Sequence, residues 1–492
     1  MKNKIVTTVL MLMLSELSFG QFTLDGELRP RFEFRHGYKS LADTAQDAAA
    51  LIEQRTRLNF GYKTEGYIFR VSLQDVHVWG SQPQLISTST QQNNDGSYLS
   101  IHEAWGQALM SENWSLKFGR QEIILDDHRI FGSVDWTAQG RSHDAAIIKF
   151  TKNKFKADIG AAYNQDKAAL SKTEAALGTY KALQYLWLHK DFGDNFGASI
   201  LFLNNGLEQL DYDSSGTSGV GTPYYKDNYS QTIGTRLTYK KGKFAVNGAF
   251  YTQMGVHGDR TKVFSDNKGE YNKEIAAMNY ALDISYKITE KFKATVGYEF
   301  LSGNSETDTS ASYKRVNHAF NPFYGTNHKF NGHMDYFYVG NHIGSVGLQD
   351  IFLLLNYKGE KFTIGADVHL FSSAANVWDE YKYNKDLTNA MTNGTPADVT
   401  AVNDKKYTGY TMSSGLGTEV DFNFGFDLSK GVALKAGYSM MLATTTLADL
   451  KNVKYQSNNP NAGEGRIDQT SSWGWLMIII KPNFTEKKEE TK

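Results

Sequence analysis

The chain is constrained above all by an apolar–polar alternation of period two whose polar face is charged. Near the start, Phe22, Leu24, Leu28, Phe32 and Phe34 fall on one side, and Thr23, Asp25, Glu27, Arg29, Arg31, Glu33 and Arg35 on the other. Such a repeat, sustained beyond ten residues, is a strand and not a helix. The pattern returns in Met278, Tyr280, Leu282, Ile284 and Tyr286, then in Phe292, Ala294, Val296, Tyr298 and Phe300. It returns again in Leu416, Val420, Phe422, Phe424, Phe426 and Leu428, set against Glu419, Asp421, Asn423 and Asp427. One face needs an apolar neighbour and the other needs water or counter-charge. A wall between lipid and a wet lumen supplies both.

The connections have an order of their own. Tight Gly/Asn/Asp/Ser/Lys turns occur at Thr64–Gly66, Ser111–Asn113, Lys152–Lys154, Gly193–Asn195, Lys241–Gly242, Glu290–Lys291, Gly359–Glu360 and Ser429–Gly431. Long polar stretches separate them at 36–53, 79–97, 122–140, 165–181, 206–229, 255–277, 303–346, 373–413 and 443–470. Eight turns alternating with nine long loops give eighteen strands, with both ends on the short-turn side. An even set of antiparallel strands with long loops on one side only is the pattern of a bacterial outer-membrane barrel. Closure also satisfies every backbone group in lipid without a free edge. The expected fold class is therefore all-β, a membrane-spanning antiparallel barrel with short periplasmic turns and long extracellular loops. Tyr62, Tyr67, Trp114, Phe155, Phe192, Phe196, Phe244, Tyr286, Phe292, Tyr357 and Phe362 lie beside the short turns, where an interfacial aromatic girdle belongs.

Bulk properties agree. Mean hydropathy is −0.46, too polar for a helical membrane protein, and a net charge of −1 gives no reason to expect a nucleic-acid partner. The absence of cysteine excludes disulfides, thiolate metal sites and cysteine nucleophiles. Residues 1–20 read as a secretory signal, with Lys2 and Lys4, an apolar run Ile5–Leu14, and Ser18-Phe19-Gly20 before a cut at Gln21. That run is far short of the ~20 residues a spanning helix needs. The barrel is expected over 21–484, its last strand Trp473–Phe484 ending in Phe as a barrel-assembly machinery would read it, followed by a charged periplasmic tail at 485–492. A short helix is expected within Asp166–Gly178.

Candidate site residues concentrate in the first third. Arg29, Arg31, Arg55, Arg57, Arg70 and Arg236 sit opposite apolar neighbours in the period and should point inward; Arg120, Arg129 and Arg141 follow the fifth strand. Two readings fit these arginines. They brace the wall against Asp25, Glu27, Glu33, Asp144, Glu419 and Asp421, or they form an anion-selecting constriction of fixed forked donors. Asp126-Asp127 could hold calcium through oxygen ligands, though pairing with Arg120 or Arg129 costs less. His318, His328, His333 and His342 share one loop, at spacings that point to loop folding or solute contact and not to metal. In Ser142-His143-Asp144, alternation turns neighbours to opposite faces, so they form no relay. No nucleophile elbow, phosphate loop or dinucleotide motif occurs, and neither catalysis nor a cofactor is expected.

Leu116–Gln121 (LKFGRQ), followed by Asp126-Asp127 and Asp135-Trp136, resembles the alginate export family of outer-membrane porins. Tyr98-Leu99 with Glu103-x-Trp105, Gly297-Tyr298 with Ser302-Gly303, and Gly417-x-Glu419-x-Asp421 are similar to further blocks of that family. His102 stands where the family can carry arginine beside Glu103, and the later strands hold fewer arginines. The resemblance implies a monomeric eighteen-stranded barrel with a basic lumen, lined here by Arg120 and its neighbours with His102 and supported by Glu103, that passes a polyuronate. A general porin for small carboxylates or sugars, and a structural or adhesive barrel plugged by 303–346 and 373–413, are the alternatives.

Overall fold

Each alternating run becomes a strand, because pairing both edges satisfies its backbone while its two faces meet different media. The computed structural model describes residues 21–42, 47–81, 99–171, 173–175, 178–212, 223–258, 274–451 and 470–485. The expected signal segment, Tyr98 and the tail beyond Thr485 lie outside these residues. The wall opens with β1 (Gln21–His36), β2 (Ala49–Lys63), β3 (Tyr67–Val78), β4 (Leu99–Leu109), β5 (Trp114–Gln121) and β6 (His143–Lys152). It continues through β7 (Phe155–Tyr163), β8 (Ala182–Phe192), β9 (Phe196–Tyr212), β10 (Pro223–Lys241), β11 (Phe244–Val256), β12 (Glu274–Lys287) and β13 (Phe292–Leu301). After the two-residue β14 (Val316–Asn317) come β15 (Leu348–Lys358), β16 (Phe362–Ser372), β17 (Gly415–Ser429), β18 (Val432–Ala443) and β19 (Ser471–Ile480).

Every neighbouring pair of long strands is antiparallel, and β19 pairs with β1 to close the wall, Leu28 facing Ile480 and His36 facing Ser472. The two-residue β14 only edges β12 inside a loop, so the barrel itself has eighteen strands. All eight expected turns lie between paired strands. The outward stripe is lipid-facing: Leu282 is 52% exposed and Val296 56%, as an apolar band in lipid must be. Girdle rings meet across the short turns, with Tyr62 and Tyr67 at 6.0 Å, Phe192 and Phe196 at 5.7 Å, and Tyr357 and Phe362 at 5.8 Å.

Four local expectations change. β9 and β10 stay paired to Tyr212 and Pro223, so the loop expected from 206 starts later; polar outer ends of long strands read as loop in sequence. Leu416 is fully buried instead of lipid-facing. The ladder with β16 jumps from Gly417 to Gly415, and this bulge leaves Leu416 unpaired and turned inward. The last strand ends at Ile480, because Pro482 has no N–H for the ladder, although Phe484 N still donates to Leu24 O at 2.9 Å. The described part of 166–178 forms bends and no helix, whereas Glu380–Asn393 and Pro396–Asp404 are helical.

The lumen is not lined by polar side chains throughout. On β8, β9 and β11 the inward positions Leu183, Tyr185, Leu201, Leu203 and Tyr251 are buried together with Ile123, Leu125, Ile130 and Phe131 of the loop 122–142. Phe131 stands 5.2 Å from Tyr185. Phe320, Met334, Tyr336, Phe337 and Tyr338 of loop 302–347 are also buried. Two loops thus carry an apolar core into the barrel. The expected plug at 373–413 is different: its helices stay largely exposed, with Tyr383 their one buried side chain.

Candidate functional site

Gly119 of the LKFGRQ block brings β4 and β5 together. At φ +112°, with an added Cβ 2.3 Å from Ala104 O, the position demands glycine. Beyond β5 the chain enters the lumen as loop 122–142. At one end Asp126 accepts from Trp187 Nε1 at 3.1 Å and Ser199 Oγ at 2.5 Å, and Asp127 takes Arg236 Nε at 3.0 Å. These partners belong to β8, β9 and β10. At the other end, carbonyl oxygens of Asp135, Trp136 and Thr137 accept from the guanidinium groups of Arg29, Arg31 and Arg55 on β1 and β2, with Arg29 Nη1 at 2.8 Å from Asp135 O. The loop therefore spans the lumen from β1–β3 to β8–β10. Trp136 anchors it, stacked on His328 at 4.4 Å and edge-on to Trp475 at 5.0 Å and Trp473 at 5.5 Å, with Arg31 4.3 Å over its ring.

The inward face of β1–β3 carries the expected arginines, and most are paired. Arg31 meets Glu33 at 2.8 Å and Glu53 at 3.0 Å, Arg55 meets Glu27 at 2.5 Å and Asp135 at 2.8 Å, and Arg70 meets Glu103 at 3.0 Å. Arg57 is held by Gln74 at 2.7 Å, its carboxylate partner Asp135 lying 3.8 Å away. Burial, the largest influence, raises the Asp135 carboxyl, but Arg55, Arg29 and Arg57 together hold it below its ordinary range. His102 occupies a β-bulge, the ladder passing from Ser72–Glu103 to Leu73–Ile101. The bulge turns both His102 and Glu103 inward, and His102 Nε2 lies 2.8 Å from Glu122. Strict alternation would have separated these two neighbours.

Several expected pairings are not formed. Asp126 and Asp127 meet neither the Arg120 nor the Arg129 guanidinium. Arg129, 2% exposed, reaches Glu299 at 2.5 Å and Asn331 at 3.0 Å across the lumen. Arg120 shares the outward parity of Trp114 and Phe118 and holds Asp144 in a two-point pair at 2.8 and 3.1 Å, both half-exposed. Its side chain follows the lipid-facing stripe to the rim because parity, not charge, sets direction in a strand. Asp25 takes Asn59 at 2.6 Å instead of an arginine. Glu419 and Asp421, both fully buried, face the loop 302–347: Met334 N donates to Glu419 at 2.7 Å and His333 Nδ1 lies 3.8 Å from Asp421. The four loop histidines pack the loop. His328 bonds Asp335 at 2.6 Å, His342 contacts Gly347 O at 2.9 Å, and His318 stacks on Tyr313.

At the extracellular ends of β5–β9 a cavity of about 580 Å³ opens, lined by Arg120, Arg141, His143, Tyr180, Phe323 and Tyr324 among others. No grouping in the sequence announced it, since its wall is assembled from four separate loops and the ends of three strands.

Residues 21–185 match the alginate export family. No curated protein matches the chain. Among solved structures, OccAB4 of Acinetobacter baumannii is similar with a TM-score of 0.55 and 12% identity, over 95% of this chain and 99% of its own. OccK9 (OpdG) of Pseudomonas aeruginosa is similar with a TM-score of 0.52 and 10% identity, over 94% and 99%. OpdK of the same organism, solved with vanillate, has a TM-score of 0.52 at 10% identity, over 94% and 99%. At such identities the likeness is one of fold. The chain folds as an eighteen-stranded closed antiparallel barrel like those of these outer-membrane porins, and its first third matches the sequence pattern of the alginate export family.

Proposed function

We propose that the barrel is a channel for anionic solutes of the acidic-saccharide class, an alginate-like uronate among them, passing beside the loop that crosses its lumen. The observation that carries this is the inward row Arg29, Arg31, Arg55 and Arg57, in which Arg57 has its carboxylate partner Asp135 3.8 Å away and Arg29 donates to the carbonyls of Asp135 and Thr137, with the same Asp135 carboxylate at 3.6 Å. The single Asp135 carboxylate is shared among Arg29, Arg55 and Arg57, which leaves part of their positive charge over, and fixed guanidinium forks suit carboxylates. Selectivity then comes from charge and width, with no covalent step. Arg70 and Arg236, each paired with a carboxylate, brace the wall. A second reading, a porin for small carboxylates, is favoured by the loop 122–142 itself, because a chain segment spanning the lumen suits small solutes better than a polymer.

Ion selectivity of the refolded protein in a planar bilayer, followed by addition of uronate monomers and oligomers, tests both. Anion selectivity with block by oligomers supports the saccharide channel; block by monomers alone supports the small-carboxylate porin. Cation selectivity would refute both, and Arg57→Gln should lower the anion preference.

A further inference from the structure

The cavity at the extracellular ends of β5–β9 holds a cation that the wall does not neutralise. Arg120 is matched by Asp144 at 2.8 Å, and Lys181 by Glu208 at 3.2 Å. Arg141 donates from Nη1 to Gly325 O at 3.1 Å, and among the described residues it takes part in no ion pair. A guanidinium whose only acceptor is a carbonyl keeps its full charge and most of its five donors.

Beside it is a second unmatched polar atom. The Tyr180 hydroxyl lies 3.0 Å from His143 Nδ1, which engages one ring nitrogen and leaves Nε2 over. Nε2 has no partner among the described residues, and His143 is 4% exposed. Burying an imidazole nitrogen without a hydrogen-bond partner is costly.

The same wall carries aromatic side chains. Phe323 and Tyr324, both partly buried, stack at 5.9 Å, and Tyr324 also meets His143 edge-on at 5.4 Å. The volume of about 580 Å³ lies within the range of small-molecule sites.

We propose that this cavity is a binding subsite for a small carboxylate carried on a ring, with Arg141 taking the carboxylate, Phe323 and Tyr324 the ring face, and His143 a remaining oxygen. The subsite rests on the anion-channel reading and would load the solute at the extracellular mouth. An acidic sugar and an aromatic acid share this chemistry, so both serve as probes.

The test is calorimetric titration of the detergent-solubilised barrel with glucuronate, benzoate and glucose, with bilayer conductance recorded on the same preparations. Glucuronate or benzoate should bind and glucose should not. Arg141→Gln should weaken binding about tenfold to a hundredfold, the range expected for losing a charge-assisted contact, and Phe323→Leu should weaken it less. Binding by both acids, or by either alone, supports the subsite and shows which ring it accepts. Equal binding of glucose, unchanged binding by the Arg141→Gln barrel, or no binding by a conducting wild-type barrel would overturn it. Wild-type conductance and heat-modified gel migration in the variants show that the barrel is folded. Bound carboxylate without anion-selective conductance would retain the subsite and sink the channel reading, so the two failures are distinct.

Discussion

Replacing Trp136 with alanine should release the near end of the lumen-crossing loop. The ring stacks on His328 at 4.4 Å, meets Trp475 and Trp473 at 5.0 and 5.5 Å, and lies 4.3 Å under Arg31. Truncating a fully buried aromatic costs about 3–5 kcal/mol. Trp136 is only partly buried and its Nε1 has no hydrogen-bond partner, so about 2–3 kcal/mol is the better figure for this site. The backbone carbonyls that Arg29, Arg31 and Arg55 grip survive the substitution, so the loss falls on ring packing alone. At 1.4 kcal/mol per decade, the docked fraction should fall about 30- to 150-fold relative to the released one. The chain has no cysteine, so Ala138→Cys gives a single reporter at a position 3% exposed. Its reaction with a water-soluble maleimide should accelerate by that factor in the Trp136→Ala background, and unitary conductance should rise or become noisier. Equal labelling rates and equal conductance in the two backgrounds would refute the claim that this ring holds the loop in the lumen.

Other consequences are open to direct test. Arg129→Met strands the Glu299 carboxylate, 4% exposed, and should destabilise the docked loops by about 3–5 kcal/mol; adding Glu299→Gln should recover much of that loss in thermal unfolding. Gly119→Val forces a Cβ to 2.3 Å from Ala104 O and should block barrel assembly, seen as loss of the heat-modifiable band, whereas Gly66→Ala, with open space around its Cβ, should assemble normally. Burial brings the Lys451 ammonium down to about 8 from its ordinary 10.5, while Lys451 donates to Tyr336 O. The released segment then binds more protons than the docked one between those values, so docking is weakest below pH 8 and strengthens as pH rises toward 10.5. Hydrogen-exchange protection around Tyr336 should follow that course, and Lys451→Met should flatten it.

Period-two alternation and turn chemistry made the wall legible from sequence, since both are local. A strand's faces are set by its pleat, so Leu282, Val296 and Phe422 were assigned to lipid and Arg29, Arg31, Arg55 and Arg57 to the interior from spacing alone. The same rule, followed one residue further, places Arg120 outward with Phe118; its membership of a charged motif pointed the other way. Bulges at His102 and Leu416 broke parity where no residue type marks the slip, because a bulge depends on the register of both neighbouring strands.

The interior was decided by tertiary structure. Ile123, Leu125, Ile130 and Phe131 lie in a stretch that reads as polar loop, and Leu183, Tyr185, Leu201 and Leu203 lie on an inner face that reads as wet. Each set becomes apolar core only when the other covers it. Likewise Asp126, Arg129 and Glu419 carry charges whose partners lie tens to hundreds of residues away, and pairing at that range follows from where loops fold, not from spacing. Sequence determined that this chain closes as a barrel in a membrane, because each strand's two faces must satisfy two media. Which segments enter the lumen, and which cations remain unmatched there, were fixed only once the wall had brought distant loops together.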